Sequence, residues 1–384
     1  MDSPFIFDKY VTAKNFIGRK TDCNSLINLL QQKEHIVMYT PPKGGKMSLI
    51  QQSLFQFRML KHDFYIGHFN LLNVRRTDQF ILRLVSTVMA TQANTPSEMA
   101  TFISHYLGDT HFVFDRERFS GYGETVSLNW ELDRNDIQRA LMLPYAVARE
   151  QAQDFILIVD EFQNLEWTED PEMIYKCMEE AFSKMKGEVG AGCSYILCGS
   201  AYNAMKDIFE RRHFFHRKVE RVILHPVEAK EIVEHVAKGF LMGGKVVDKD
   251  LLYGMCNLFR NDLYYINFLS YITDSLTKGY VNESVMLDAL DILVSIHTPQ
   301  FISTMYSLTT FQVNLLRAVL DGVTKLSSAS VIQKYSLNSS ANVKRVREAL
   351  EKKEVLAFND KDDPWIIDPL FEYWVKKYYF EIPV

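Results

Sequence analysis

Short β-prone runs and helical patterns alternate along the first 225 residues. Between the β-prone runs, apolar residues recur at spacings of three and four, which is the period of an amphipathic helix. Continuous apolar runs are typical of strands that are buried on both faces of a parallel sheet. Alternation of the two patterns therefore predicts an α/β fold with helices on both faces of the sheet. The β-prone runs are residues 36–39, 64–69, 155–159, 194–199 and 219–224.

The pattern changes after Pro226, where helices follow one another as far as about residue 296. From Leu308 onward, three helical segments precede two short β-prone runs that flank a polar turn. Three helices followed by a hairpin is the order of a winged helix-turn-helix. The predicted domains are therefore a core with an irregular insertion at 94–135, an all-helical lid and a winged helix, at residues 1–225, 226–300 and 301–384 respectively.

A glycine-rich turn joins the first predicted strand to the next helix, and residues 40–46 read Thr-Pro-Pro-Lys-Gly-Gly-Lys. Successive backbone amides from Gly44 and Gly45 to Met47 can converge on an anion at a helix N-terminus. Lys46 would supply a positive charge to the outer phosphates. The turn therefore predicts a phosphate-binding loop, with an ordinary strand-to-helix turn as the alternative.

The turn departs twice from the phosphate-loop pattern G-x-x-x-x-G-K-[ST]. Thr40 replaces the first glycine, which is tolerable where the backbone φ is negative. Met47 replaces the residue whose hydroxyl reaches Mg²⁺, and a thioether is a poor ligand for that cation. Ser48 lies about 100° further round the helix, so it is not expected to take over. Thr40, Lys43 and Ser48 are expected to contact the nucleotide as members of the loop.

Two carboxylates, Asp160 and Glu161, directly follow the apolar run at 155–159. Ligands in open α/β sheets bind outside the carboxyl ends of the strands. Asp160 is expected to hold Mg²⁺, and Glu161 to orient and deprotonate an attacking water. The alternative is a solvated strand end or a cap for the following helix.

Further segments resemble the motifs of the archaeal-type ATPases of the AAA+/STAND group, which are P-loop NTPases. The resemblance spans nearly the whole chain, although Asp22 replaces the usual glutamate and the lid segment lacks its Gly and Pro. The segments are 15–22 for the F-x-G-R-x-x-E motif, 194–200 for the first sensor strand, 215–217 for an L-Y-G-R-like segment, 260–266 for the lid's G-x-P region and 368–374 for the D-P-x-x-x-x-W ending.

The resemblance implies the remaining members of a nucleotide site. Gly18 and Arg19 would lie near the adenine, Ser200 would sense the γ-phosphate and Arg217 would act on the phosphates. The implied protein is an ATP-binding ATPase or nucleotide-dependent switch that uses ATP or ADP with Mg²⁺, and whose hydrolysis is slow because of Met47. The alternative is a non-hydrolysing nucleotide-binding scaffold or regulator that acts through its winged helix.

The third helix of the predicted winged helix is the segment expected to read DNA. Its candidate contacts are Asn342, Lys344, Arg345 and Arg347. Against this, the hairpin tip at 359–364 is acidic and would repel DNA phosphates. In the resembling family this domain often binds other proteins. DNA and a protein partner therefore both stay open.

Composition narrows the class of protein further. The chain has 384 residues, a hydrophobic fraction of 47%, a charged fraction of 24% and a net charge of −5, as expected of a soluble, multi-domain protein with no global affinity for nucleic acid. No apolar run approaches the length of a membrane span and no signal peptide is indicated, so the cytoplasm is expected. The five cysteines form no C-x-x-C pair, which argues against a disulfide framework and a zinc site. Oligomerisation is left open.

Overall fold

A computed structural model describes residues 3–119, 125–187 and 189–383. The chain divides into two compact units. The sheet unit comprises Thr21–Thr40 and Ser53–Leu224, and the helical unit comprises the residues up to Lys20, Pro41–Gln52 and the chain from His225 onward. The division into three domains stays a prediction.

The amino-terminal part of the chain alternates helices and strands, as its apolar pattern predicts. The elements in chain order are α1 Lys20–Gln31, β1 His35–Tyr39, α2 Lys46–Met59, β2 Phe64–Asn70, α3 Thr77–Met89, α4 Pro96–Leu107, β3 Phe112–Phe114, α5 Arg116–Phe119, β4 Val126–Leu128, α6 Arg134–Gln151, β5 Asp154–Asp160, α7 Pro171–Met185, β6 Cys193–Gly199, α8 Tyr202–Lys206 and β7 Val219–Arg221.

Five parallel strands form the central sheet, in the order β2-β5-β6-β1-β7. This confirms the predicted parallel sheet, and the side chains of β6 are buried along its whole length. The register aligns the carboxyl ends, because Asn70 pairs with Asp160 and Tyr39 pairs with Gly199. Polar residues that follow these strands consequently share one edge of the sheet.

The segment predicted as an irregular insertion, 94–135, contains more regular structure than expected. After α4, strands β3 and β4 pair in antiparallel fashion, with Phe112 opposite Leu128. The prediction of irregular structure was therefore wrong for this part, because three-residue strands are too short to show a period. Residues 120–124 of the predicted insertion lie outside the described residues.

The carboxylate of Asp136 joins this ribbon to the start of α6. It is fully buried and accepts hydrogen bonds from the amides of His111 and Asp133, each at 3.0 Å. Nδ1 of His111 lies 2.9 Å from the same carboxylate. This contact raises the pKa of His111 above its ordinary value, while the partial burial of the ring acts in the opposite direction.

Stability is expected to depend on pH through His111. A raised folded-state pKa means that the contribution is fully present below the unfolded pKa of about 6.5 and is lost as pH rises through the folded pKa. The free energy of unfolding of wild type should therefore exceed that of His111→Asn at low pH, with a gap that narrows as the pH rises. Urea denaturation of both proteins across this range measures the gap. A gap independent of pH would contradict the assignment.

The carboxyl-terminal part of the chain is helical and ends in three helices and a hairpin, which confirms the predicted winged helix. A two-residue parallel pair, β8 with β9, lies among the earlier helices and was not foreseen. The elements are α9 Ala229–Met242, β8 Val246–Val247, α10 Lys249–Leu258, α11 Leu263–Leu276, β9 Tyr280–Val281, α12 Glu283–Tyr306, α13 Thr310–Leu320, α14 Ala329–Lys334, α15 Ser340–Lys352, β10 Leu356–Phe358, β11 Pro364–Ile366 and α16 Pro369–Trp374.

One helix in the described residues, α12, is long and apolar enough to cross a membrane by length and composition alone. Its Phe301 is buried and packs against Phe371 and Trp374 of α16. Core helices of soluble proteins pass the same test, so a single such helix is weak evidence for a membrane span.

Candidate nucleotide-binding site

The acidic pair and the candidate sensor residue meet at the carboxyl edge of the sheet. Oγ of Ser200, directly after β6, donates a hydrogen bond of 2.6 Å to Oε2 of Glu161. Nε2 of Gln163 donates to the same oxygen, also at 2.6 Å. Glu161 itself has a left-handed backbone with φ of 56°, and this conformation turns the chain sharply after β5. Two donors therefore fix the carboxylate that was predicted to act as a base.

Both oxygens of Asp160 accept hydrogen bonds from nearby groups in the sheet unit. Oδ1 accepts from the amide of Glu161 and Oδ2 from Nδ2 of Asn70, each at 3.0 Å. A carboxylate oxygen has a second lone pair, so Asp160 can still bind a cation. Asn70 and Gln163 were not predicted from the sequence. Asn70, the polar residue at the end of β2, could have been recognised as a candidate from the sequence. Its contact with Asp160 could be predicted only if β2 were known to lie beside β5.

The phosphate-loop candidate has the backbone that its glycines suggest. Gly45 has φ of 94° and Lys43 has φ of 62°, both left-handed. The amide of Gly44 donates to the carbonyl of Pro41 at 3.2 Å, and α2 begins at Lys46. Thr40 is not among the described residues with positive φ, so the glycine that it replaces is not needed there. The required glycine is Gly45.

The two lysines of the loop differ in their surroundings. Lys46, the first residue of α2, is only 7% exposed. Lys43 is exposed, and its Nζ lies 2.5 Å from the hydroxyl oxygen of Tyr264 and 3.8 Å from the centre of that ring. The ammonium group of Lys43 is therefore directed at an aromatic side chain of α11, and contact of Lys43 with the nucleotide stays a prediction.

The side chain of Arg19 contacts the backbone of the phosphate-loop candidate. Its Nη1 donates to the carbonyl of Gly44 and its Nε to the carbonyl of His225, each at 3.0 Å. A Cβ atom at Gly45 would be 2.6 Å from Nη1 of Arg19, so the guanidinium occupies the space that a side chain would take. Gly18 is needed for similar reasons, because its φ is 61° and a Cβ would approach Glu231 to 2.8 Å.

The loop does not fit the Mg²⁺ site that the fold implies. Met47, where the pattern requires a hydroxyl, offers only a soft sulfur. Oγ of Ser48 accepts a hydrogen bond of 3.1 Å from the amide of Val11, so it faces the amino-terminal segment. Gln52, one turn later, accepts from the amide of Ala13 at 2.7 Å on the same helix face. Ser48 was predicted to contact the nucleotide. In the structure its side chain instead forms a hydrogen bond with the amino-terminal segment, at Val11.

Arg217 lies at the amino edge of the sheet. Val219 pairs with His35, the first residue of β1, so Arg217 precedes the amino end of that strand. The strand spans five residues at about 3.3 Å each, which separates Arg217 from the carboxyl edge by its full length. Strand direction therefore places Arg217 at the opposite edge from Asp160, and its action on the phosphates stays a prediction.

The segment at 260–266, predicted to correspond to the G-x-P region of a lid, forms a sharp turn although it lacks the Gly and Pro of that motif. Arg260 and Asn261 adopt φ of 51° and 61°, and Asp262 caps α11 by accepting from the amides of Tyr264 and Tyr265. Burial raises the pKa of Asp262 to about 6. An asparagine tolerates this left-handed conformation better than most residues, so the turn survives the loss of glycine.

Two of the four candidate DNA contacts on α15 are used within the domain. Nη1 of Arg347 donates to Oδ2 of Asp362 at 2.7 Å, and its guanidinium lies 3.5 Å from the centre of the Phe358 ring. Nδ2 of Asn342 donates to the carbonyl of Leu337 at 3.0 Å. Lys344 and Arg345 are exposed. The basic surface on this helix is therefore smaller than the sequence suggests.

Comparison with known proteins supports the same fold. Residues 299–377 match a family model described as "Probable winged helix domain". A Walker-type ATPase of Pyrococcus abyssi is similar with a TM-score of 0.64 at 14% identity, covering 97% of this chain and 99% of that chain. The Aeropyrum pernix ORC2 protein, solved as ADPNP-ADP complexes, is similar with a TM-score of 0.56 at 12% identity, covering 95% of this chain and 93% of that chain. No curated protein sequence matches significantly.

The chain therefore has the fold of the archaeal Walker-type ATPases, with a parallel-sheet core and a carboxyl-terminal winged helix domain. The identities are low, so these similarities establish the fold and leave the chemistry to the residues of this chain.

Proposed function

We propose that this protein is a nucleotide-dependent switch that binds ATP or ADP, with the phosphates on the loop that follows β1. The amides around Gly45 and the buried Lys46 would hold the phosphates, and the helix dipole of α2 would favour their charge. The protein would have two conformations that differ in their affinity for nucleotide. Nucleotide binding would therefore shift the population toward the conformation that binds it more tightly.

The observation that carries this proposal is the conformation of the loop. A left-handed Gly45 stands directly before a buried lysine at the first position of a 14-residue helix. A lysine ammonium beside helix amides suits a phosphate, because charge-assisted hydrogen bonds to phosphate oxygens are strong. At the carboxyl edge of the sheet, Glu161 is oriented by Ser200 and Gln163, an arrangement that suits a base acting on water.

Hydrolysis, if the switch uses it, is expected to be slow. The loop lacks the hydroxyl that its fold normally uses for the metal, and Arg217 precedes the amino end of β7, away from the sheet edge that carries Asp160 and Glu161. We expect turnover below the usual enzyme range of about 1 to 1,000 per second. These two observations favour the second candidate function, a nucleotide-binding scaffold that does not hydrolyse ATP at a useful rate.

Binding and hydrolysis should be measured on the same preparations. Equilibrium binding of fluorescent ATP and ADP tests the switch, and release of phosphate by wild type and Glu161→Gln tests the chemistry. Glu348→Gln, an exposed glutamate of α15, is the matched control and should behave as wild type. Wild-type hydrolysis no faster than that of Glu161→Gln, with ATP still bound, would leave only the scaffold. Absence of binding to both nucleotides would end the proposal.

The winged helix would carry the output of the switch. With Arg347 held by Asp362, the exposed basic residues of α15 are Lys344, Arg345 and Lys352, and the neighbouring hairpin tip is acidic. Binding to DNA draws most of its affinity from neutralised phosphates, so this surface favours a protein partner over DNA.

A further inference from the structure

We propose that nucleotide binds to this loop without help from Mg²⁺, and that the cationic side chains of Lys46 and Arg19 supply the positive charge. This inference rests on the proposed nucleotide function and assigns its cofactor requirement. Three features of the helical unit support it: the chemistry of residue 47, the direction of the Ser48 hydroxyl and the position of the Arg19 guanidinium.

The first two features remove the metal ligand from the loop. Magnesium requires oxygen ligands in near-octahedral geometry, and the sulfur of Met47 cannot replace one. The neighbouring hydroxyl is held at 3.1 Å by the amide of Val11, on a face of α2 that also binds Ala13 through Gln52. Turning Ser48 toward a metal would break this contact, so residue 48 does not compensate for residue 47.

The third feature places a different cation at the loop. Nη1 of Arg19 donates to the carbonyl of Gly44, and the second donor, Nε, ties the same guanidinium to His225. These bonds fix an arginine charge at the loop backbone, directly against Gly45. Arginine stays protonated and its planar donors suit phosphate oxygens, so it can offset nucleotide charge permanently.

The charge of the nucleotide determines whether Mg²⁺ should strengthen or weaken its binding to the loop. A nucleotide that carries Mg²⁺ has two fewer negative charges than the free nucleotide. A loop that relies on Lys46 and Arg19 will therefore bind the free form at least as tightly, because the Coulomb attraction to these cations is larger. A loop that relies on a bound metal will show the opposite preference.

The test compares affinities for fluorescent ADP and a non-hydrolysable ATP analogue in Mg²⁺ and in EDTA. We expect the wild-type Kd in EDTA to be equal to or lower than that in Mg²⁺, within about threefold. Wild-type binding at least about tenfold tighter in Mg²⁺ would overturn the inference while leaving the nucleotide function intact. Loss of binding under both conditions would instead remove the proposed function.

Two pairs of variants test whether residue 47 sets the response to Mg²⁺ and whether Arg19 contributes to nucleotide binding. Met47→Thr should gain a preference for Mg²⁺ of about fivefold or more, whereas the matched Met47→Leu should not. Arg19→Gln should weaken binding about tenfold in Mg²⁺ and in EDTA alike, and Arg116→Gln, an exposed arginine of α5, should not. A Met47→Thr protein that binds nucleotide without any Mg²⁺ preference would contradict the role assigned to residue 47. The wild-type comparison stands even if a variant fails to fold.

Discussion

Replacing Lys46 with alanine is expected to weaken ATP and ADP binding by about a hundredfold or more, equivalent to at least about 2.7 kcal/mol. Each hydrogen bond from a charged donor contributes about 1.5–3 kcal/mol, and an ammonium group can make several to phosphate oxygens. Lys46 is also buried, so its charge acts in surroundings that screen it less than bulk water does. Isothermal titration calorimetry with each nucleotide measures the change.

Lys43→Ala is the matched control, because it removes the same charge three residues away in the same loop. The ammonium group of Lys43 faces the ring and hydroxyl of Tyr264, so this variant should bind nucleotide within about threefold of wild type. Circular dichroism would confirm that both variants are folded. If Lys43→Ala lost binding and Lys46→Ala kept it, the assignment of the phosphate ligand would have to be reversed.

The regular elements were predictable because each carries its own local pattern. Strand β5 extends the predicted run 155–159 by one residue at each end, and β1 extends the predicted run 36–39 by one residue at its start. Elements of two or three residues were missed, as in the pairs β3-β4 and β8-β9. Such strands are too short to show a periodic pattern in the sequence. They are stabilised by pairing with the neighbouring strand.

The local geometry of candidate site residues was predictable where it depends on one turn or one strand end. Gly45 and Lys46 belong to a single turn, and Ser200 follows a strand whose direction is shared with β5. The surroundings of other candidate residues depend on distant partners and could not be predicted. Lys43 faces Tyr264, and Arg217 precedes a strand whose register with β1 no local pattern contains. Sequence motifs specify residue types, whereas these roles are set by tertiary neighbours.

Replacing Phe215 with alanine is expected to lower the free energy of unfolding by about 3–5 kcal/mol. The ring is 1% exposed and lies within 6 Å, centre to centre, of four aromatic rings of the sheet unit, those of Phe162, Tyr175, Phe182 and Phe209. Removing it leaves a cavity that these rings cannot fill without moving. Such a loss is a large fraction of the roughly 5–15 kcal/mol that stabilises a typical protein.

The backbone around Phe215 makes this variant a clean measure of packing. Phe215 adopts φ of 62°, and alanine in the same place keeps that strain, so the difference reports the side chain. Its amide donates to Oε1 of Glu179 at 2.6 Å in both proteins, which anchors the segment before β7 to α7. Phe55→Ala, with a ring 51% exposed, should cost less than about 1 kcal/mol. Equal losses in the two variants, measured by urea denaturation, would mean that Phe215 does not anchor the segment that carries Arg217.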